Sequence, residues 1–136
     1  MKLFSAMDIA GSGLTAERVW MDVIADNIAN VNTTRTAEGG PYRRKIPVFQ
    51  ERKDPFDPIG SGVRVVSIEN DTLPPRKVYD PSHPDADKDG YVRYPNISVV
   101  REMVDMIAAS RAYQANVMVV NSSKTMLLQS IDIMRA

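Results

Sequence analysis

From Asn96 to Ala136 the chain contains neither proline nor glycine, and apolar residues recur at helical spacing throughout. Met106, Tyr113, Val120, Leu127 and Met134 fall seven residues apart without a break. A companion row three residues earlier, Met103, Ser110, Val117, Lys124 and Ile131, is interrupted by Ser110 and Lys124. This is a heptad seam with one complete row. A helix of that length reaches about 60 Å at 1.5 Å per residue, and a chain of 136 residues is too small to wrap around it. It needs a partner.

The first thirty residues offer one. Met7, Leu14, Met21 and Ile28 form an unbroken seven-residue row over residues 5–31. Leu3, Ala10, Glu17, Ile24 and Val31 form its companion, spoiled only by Glu17. Ser5 with Asp8 resembles an N-cap followed by an acidic first turn. Gly11-Ser12-Gly13 is the weak point, because each glycine costs about 1 kcal/mol against alanine inside a helix. Either the helix kinks there, or that turn orders only when a neighbour packs on it. Asn30 to Thr33, followed by Gly39-Gly40-Pro41, predicts the end of the helix.

Residues 34–95 change character, and all nine prolines lie between Pro41 and Pro95. Short β-like runs, Tyr42 to Gln50, Val63 to Asn70, Arg76 to Tyr79 and Tyr91 to Tyr94, alternate with turn clusters. Pro47 makes the first an edge or bulged strand. The expected fold is mainly α with a small β-rich insertion. Residues 1–33 and 96–136 pair as an antiparallel coiled coil, and a β/loop lobe of residues 34–95 projects from one end.

Composition removes most other functions. Basic and acidic residues balance at 17 each, so no net field draws the chain to nucleic acid or anionic lipid. With no cysteine there are no disulfides, thiolate nucleophiles or Cys-type zinc sites. The one histidine, His83, reads as a solvated loop residue. No apolar run is long enough to span a bilayer, and MKLFSAMDIAGSG lacks the uninterrupted apolar region of a cleaved secretory signal. Arg43-Arg44-Lys45 beside Tyr42 is a weak nucleic-acid signal and is better read as a solvated strand edge. No nucleophile–base pair, phosphate loop or paired carboxylates in a pocket emerges, so neither an enzyme nor a cofactor is expected.

Asp85, Asp87 and Asp89 with Gly90 match the opening of a calcium loop, D-x-D-x-D-G. The twelfth position is Asn96 rather than glutamate, and Pro81 and Pro84 forbid a helix before the loop. An aspartate-rich turn into the strand Tyr91 to Tyr94 is the better reading. The competing function is a calcium-responsive or other soluble helical adaptor.

The C-terminal helix carries apolar residues off the seam, among them Val104, Ile107, Ala108, Ala115, Met118 and Leu128. A second apolar face predicts contact with further copies or related subunits, unless it packs on the β lobe. Met103, Met106, Met118, Met126 and Met134 suit a helix that meets several different neighbours. Gln114, Asn116, Asn121 and Lys124, polar at core-type positions, set register or face a hydrated channel.

Asp26-Asn-Ile-Ala-Asn-Val-Asn-Thr33 resembles the N-L-A-N-x-x-T signature of bacterial flagellar rod, hook and hook-associated proteins. Gly40-Pro-Tyr-Arg43, Val48-Phe-Gln50, Val78-Tyr-Asp-Pro81, Gly90-Tyr-Val92 and Pro95-Asn96 resemble the proximal-rod members of that family. So do Val99-Val100-x-Glu102-Met103-Val104, Ser110-Arg-Ala-Tyr-Gln-Ala-Asn116, Lys124 and Met126-Leu127-Leu128. The similarity covers nearly the whole chain, and the short middle fits it.

This resemblance implies a structural subunit that assembles helically into the rod, transmitting torque and lining the export channel. Its implied partners are other rod proteins, copies of itself, the adaptor joining rod to export gate, and the flagellar export apparatus. It implies a basal-body location outside the cytoplasmic membrane, periplasmic where the host has an outer membrane. By the same resemblance, Asn27, Asn30, Asn32 and Thr33 close helix 1 and touch neighbouring subunits, and Tyr113, Gln114 and Asn116 lie on an inter-helix or inter-subunit surface. With the seam residues Met7, Leu14, Met21, Ile24, Ile28, Met106, Val117, Val120, Leu127, Ile131 and Met134, they form the expected assembly interface. Gly13 departs from the helix former expected there.

Overall fold

The computed structural model describes residues 2–53 and 60–135, with side chains from residue 4 onward, so the companion-row side chain of Leu3 lies outside the described residues. Two long helices, α1 (Lys2–Ala29) and α2 (Val99–Arg135), enclose in sequence four strands. These are β1 (Lys45–Glu51), β2 (Val63–Asn70), β3 (Arg76–Tyr79) and β4 (Tyr91–Tyr94). The chain is mainly helical with a small β insertion, as the periodicity predicts.

Local chemistry sets the helix ends. Ser98 caps α2: its carbonyl accepts from Glu102 N at 3.0 Å and its hydroxyl from Arg101 N at 3.4 Å. At the other end of the pair, Asn30 Nδ2 donates back to the Asp26 carbonyl at 2.9 Å, using an acceptor of the last turn of α1. Thr33 Oγ1 donates to Asn30 Oδ1 at 3.1 Å, and the Thr33 carbonyl accepts from Tyr42 N at 3.0 Å, turning the chain back toward β1.

Gly11-Ser12-Gly13 does not interrupt α1. A Cβ on buried Gly13 would stand 2.6 Å from Asn116 Nδ2, so this glycine lets the two helices approach closely. With Asn27 bonded to Glu102, it also shows that α1 and α2 run antiparallel. Carrying that register along the pair sets Lys2 level with Leu127. Residues 128–135 continue past it and are exposed.

The buried face of α1 consists of Ala10, Gly13, Ala16, Val23, Ile24 and Asn27. Its counterpart on α2 corrects the expected companion row. The innermost residues are Glu102, Ala109 and Ser123, with Asn116 half-buried between them, whereas Met103 is 57% exposed. This row lies one residue from the expected one. Its short side chains bring the axes together, while the larger Met106, Tyr113, Val120 and Leu127 flank the contact half-buried.

β1 and β2 form an antiparallel two-stranded sheet with a register shift that skips Val66: Val48 faces Ser67, and Phe49 faces Val65. This hairpin does not project from an end of the pair but lies along α1. Ser12 Oγ accepts from Val63 N at 3.0 Å, and Trp20 meets Phe49 edge-on at 6.0 Å. Gly62, at φ +111°, passes the helix where any side chain would strike Ser12. β3 and β4 form a second sheet, and among the described residues its strands pack on neither helix nor on β1–β2.

Candidate functional site

The strongest concentration of polar chemistry lies where α1 ends and α2 begins. Asn27 is the last buried residue of α1, and all its bonding groups are used. Nδ2 donates to the Lys45 carbonyl at 2.9 Å and to Glu102 Oε2 at 3.1 Å. Oδ1 accepts from Lys45 N at 2.9 Å and from the Tyr42 hydroxyl at 3.2 Å. One amide thus holds the C-terminal end of α1, the start of β1 and the first turn of α2.

Glu102 is 0% exposed, and Arg44 is its charge partner. Arg44 Nε donates to Glu102 Oε1 at 2.6 Å, and its remaining nitrogens stand 3.6 Å from Asp71 and from Asp105. An acidic group in the first turn of a helix also faces the positive end of the macrodipole. Burial, followed by the negative charges of Asp26 and Glu102, raises the Tyr42 hydroxyl above its ordinary value and keeps it a donor. The arrangement fastens three segments.

The sequence pattern missed part of this clamp. Arg44 reads in sequence as one of three solvated edge cations, yet it is mostly enclosed by carboxylates. The available signal was Glu102 itself, seven residues before Ala109 in a helix start otherwise rich in valine and methionine.

The other interface candidates fall into distinct groups. Ile24 is buried, and Met7, Leu14, Met21, Ile28, Asn30 and Thr33 are half-buried. Met106, Tyr113, Asn116, Val117, Val120 and Leu127 are likewise half-buried. Asn32, Gln114, Ile131 and Met134 are exposed. The helix pair therefore uses one side of α2 and leaves Val100, Met103, Val104, Ile107 and Met118 uncovered, together with the C-terminal overhang. None of the described strands packs on that side.

The aspartate-rich loop is tied into its own turn. Asp85 accepts from Thr34 Oγ1 at 2.8 Å and pairs with Arg35, and Asp87 Oδ1 accepts from Asp89 N and Tyr91 N. Among the described residues no group of three or more histidine, cysteine, aspartate or glutamate side chains is placed to hold a metal. His83, expected to be solvated, is half-buried: Nδ1 accepts from Asp85 N at 3.0 Å, and the ring meets Tyr94 edge-on. No described helix is long and apolar enough to cross a membrane.

Two family models match the chain, and they fall on the paired helices. One, described as flagella basal body rod protein, covers residues 7–35, and one for the C-terminal part of the flagellar basal body rod FlgEFG proteins covers residues 88–133. The flagellar basal-body rod protein FlgC of Borreliella burgdorferi is 52% identical across 99% of both chains. The chain belongs to the flagellar basal-body rod protein family. FlgC of Bacillus subtilis is 39% identical over 98% of this chain and 99% of its own, and FlgC of Salmonella typhimurium 43% over 98% of both. Members this far apart in sequence align from end to end, so the middle region belongs to the family pattern along with the helices. Asn27 and Glu102 each lie inside a matched segment, and Arg44 lies between the two.

Proposed function

We propose that the chain is a non-catalytic structural subunit of the flagellar rod, assembling helically through its terminal helices. The observation that carries this reading is the uncovered side of α2. Met118 is 69% exposed on the side of α2 turned away from α1, and Met134, in the overhang beyond α1, is 82% exposed. A row of large apolar side chains kept in water is unfavourable and is relieved by burial between subunits.

In this reading residues 1–33 and 96–136 form the inner layer, and residues 34–95 form the outer part. Of the seam and cap residues named above, the half-buried and exposed ones contribute subunit contacts beside the uncovered side of α2, whereas Ile24 is enclosed within the chain. Neighbours are further copies, other rod proteins and the adaptor to the export gate. The export apparatus delivers the chain to a place outside the cytoplasmic membrane. Interlocked helix pairs resist twist, which suits a shaft that transmits torque around a central channel.

Electron microscopy of basal bodies from a strain lacking the gene, with and without its restoration, tests this. Loss of rod, hook and filament above an intact membrane ring is the expected result. Complete, rotating flagella in the deletion strain overturn it.

A further inference from the structure

The two faces of the β3–β4 hairpin differ in a way that packing within this chain does not use. Strand alternation sets Arg76, Val78, Val92 and Tyr94 on one face and Lys77, Tyr79, Tyr91 and Arg93 on the other. On the first face only Arg76 is exposed. Val92 is fully buried, the Arg76 guanidinium lies 5.9 Å from the Tyr94 ring centre, and His83 meets the same ring edge-on.

All four residues of the second face are exposed. Lys77 and Arg93 are direct cross-strand partners, and among the described residues neither has an acidic counterpart. Like charges directly opposite each other weaken an antiparallel pair, so this pairing costs the hairpin stability with no return inside the chain. Beside them the rings of Tyr79 and Tyr91 meet edge-to-face at 5.3 Å. That pair supplies a rigid platform, apolar on its surface and polar at its rim.

We propose that this face docks an acidic segment of another protein chain. Two carboxylates neutralise Lys77 and Arg93, and an intervening side chain lies on the Tyr79–Tyr91 pair. Charge complementarity favours this occupant, because a carboxylate pair removes the repulsion already built into the strands. A polyanion fits less well. Nucleic acid is held by many phosphate contacts and an anionic membrane by a broad basic field, whereas this face has two cations on a chain of zero net charge. Tyrosine and arginine are also residues enriched at protein interfaces. The contact is separate from the uncovered side of α2 and persists whatever that side binds.

The test titrates the isotopically labelled full-length chain with a Glu-Glu-Leu-Glu-Glu peptide. Parallel titrations use a single-stranded DNA oligonucleotide and phosphatidylglycerol vesicles. The expected result is a set of amide shifts confined to Lys77, Tyr79, Tyr91, Arg93 and their neighbours, fading as salt rises. Lys77→Glu weakens the peptide about tenfold, the equivalent of about 1.4 kcal/mol. The same substitution raises the thermal midpoint, because it turns a repulsive pair into an attractive one, and Arg93→Glu repeats both effects. A purely structural cation does not lose binding while gaining stability. Peptide shifts that are absent or spread elsewhere, binding unchanged in both variants, or a clear preference for oligonucleotide or vesicles each overturn the assignment. In the first case the cations serve only to keep the hairpin edges from pairing.

Discussion

Arg44 Nε stands 2.6 Å from Oε1 of fully buried Glu102, joining the chain just ahead of β1 to the first turn of α2. Removing one partner leaves the other charged and without its counter-ion, which is the expensive way to break a buried pair. Arg44→Ala is therefore expected to destabilise the monomer by about 3 kcal/mol in urea unfolding. The double variant Arg44→Met with Glu102→Leu recovers part of that loss, since the fully buried carboxylate is gone, while Asp71 and Asp105 still lose their cation and Asn27 Nδ2 one acceptor. Equal losses in the single and double variants would show that packing around Arg44, rather than its charge, holds the junction.

Gly11 and Gly13 respond in opposite directions. A Cβ at Gly11 meets nothing within 4 Å, so Gly11→Ala gains helix propensity and stabilises by about 0.5–1 kcal/mol. At Gly13 added bulk runs into Asn116, and Gly13→Val costs about 1–3 kcal/mol by wedging the helices apart. Asn116→Ala in the same chain returns part of that cost. Denaturation midpoints of the three variants decide the matter, and a stabilising Gly13→Val would refute the close approach.

Glu17 gives the pair a pH dependence. Its Oε2 is buried without a hydrogen bond among the described residues, and burial raises its carboxyl above the ordinary 4.5. The folded chain therefore holds this proton more tightly than the unfolded chain does. Its contribution is fully favourable below the unfolded value and is lost as pH rises through the folded one. Glu17→Gln is expected to be more stable than the parent at neutral pH, with the difference closing toward pH 4.5. A difference that stays constant across that range contradicts the assignment.

Asp85 titrates with the opposite sign. The Thr34 hydroxyl, with Arg35 beside it, holds its carboxyl below the ordinary 3.8. The tie between the segment leaving α1 and the β3–β4 loop is thus complete above that value and is lost as pH falls through the folded one. Amide protection around residues 34–35 and 85–87, taken relative to the intrinsic exchange rate at each pH, is expected to fall in acid before the helix pair melts. Thr34→Val moves that onset to higher pH.

Much of this architecture was legible because it is periodic. The seven-residue rows placed both helices and their pairing, and the prolines and turn clusters located the strands to within a few residues. Periodicity alone could not say which face of α2 lies innermost. An apolar count favours Met103 and Ile131, whereas close approach at Gly13 selects the small and polar row of Ala109, Asn116 and Ser123. The clamp was hidden for a different reason. Asn27, Arg44 and Glu102 are far apart in sequence, and a half-buried arginine is indistinguishable from a solvated one until its carboxylates are in place. The placement of the hairpin along α1 likewise depends on Ser12 and Gly62, whose contact no spacing rule anticipates.

Folding and assembly separate on α2 at two residues a helical step apart. Val120 is half-buried in the seam, so Val120→Asp places a charge against α1 and weakens the monomer itself. Met118 faces water, and Met118→Glu leaves monomer stability within about 0.5 kcal/mol. If the uncovered side of α2 packs between subunits, Met118→Glu still abolishes or sharply reduces rod formation, because the charge is buried unpaired only on assembly. The comparison requires circular dichroism of the purified monomers alongside motility and basal-body counts in complemented cells. A folded Met118→Glu subunit that builds normal rods would show that this side stays in water, leaving the C-terminal overhang, with Ile133 and Met134, as the next surface to test.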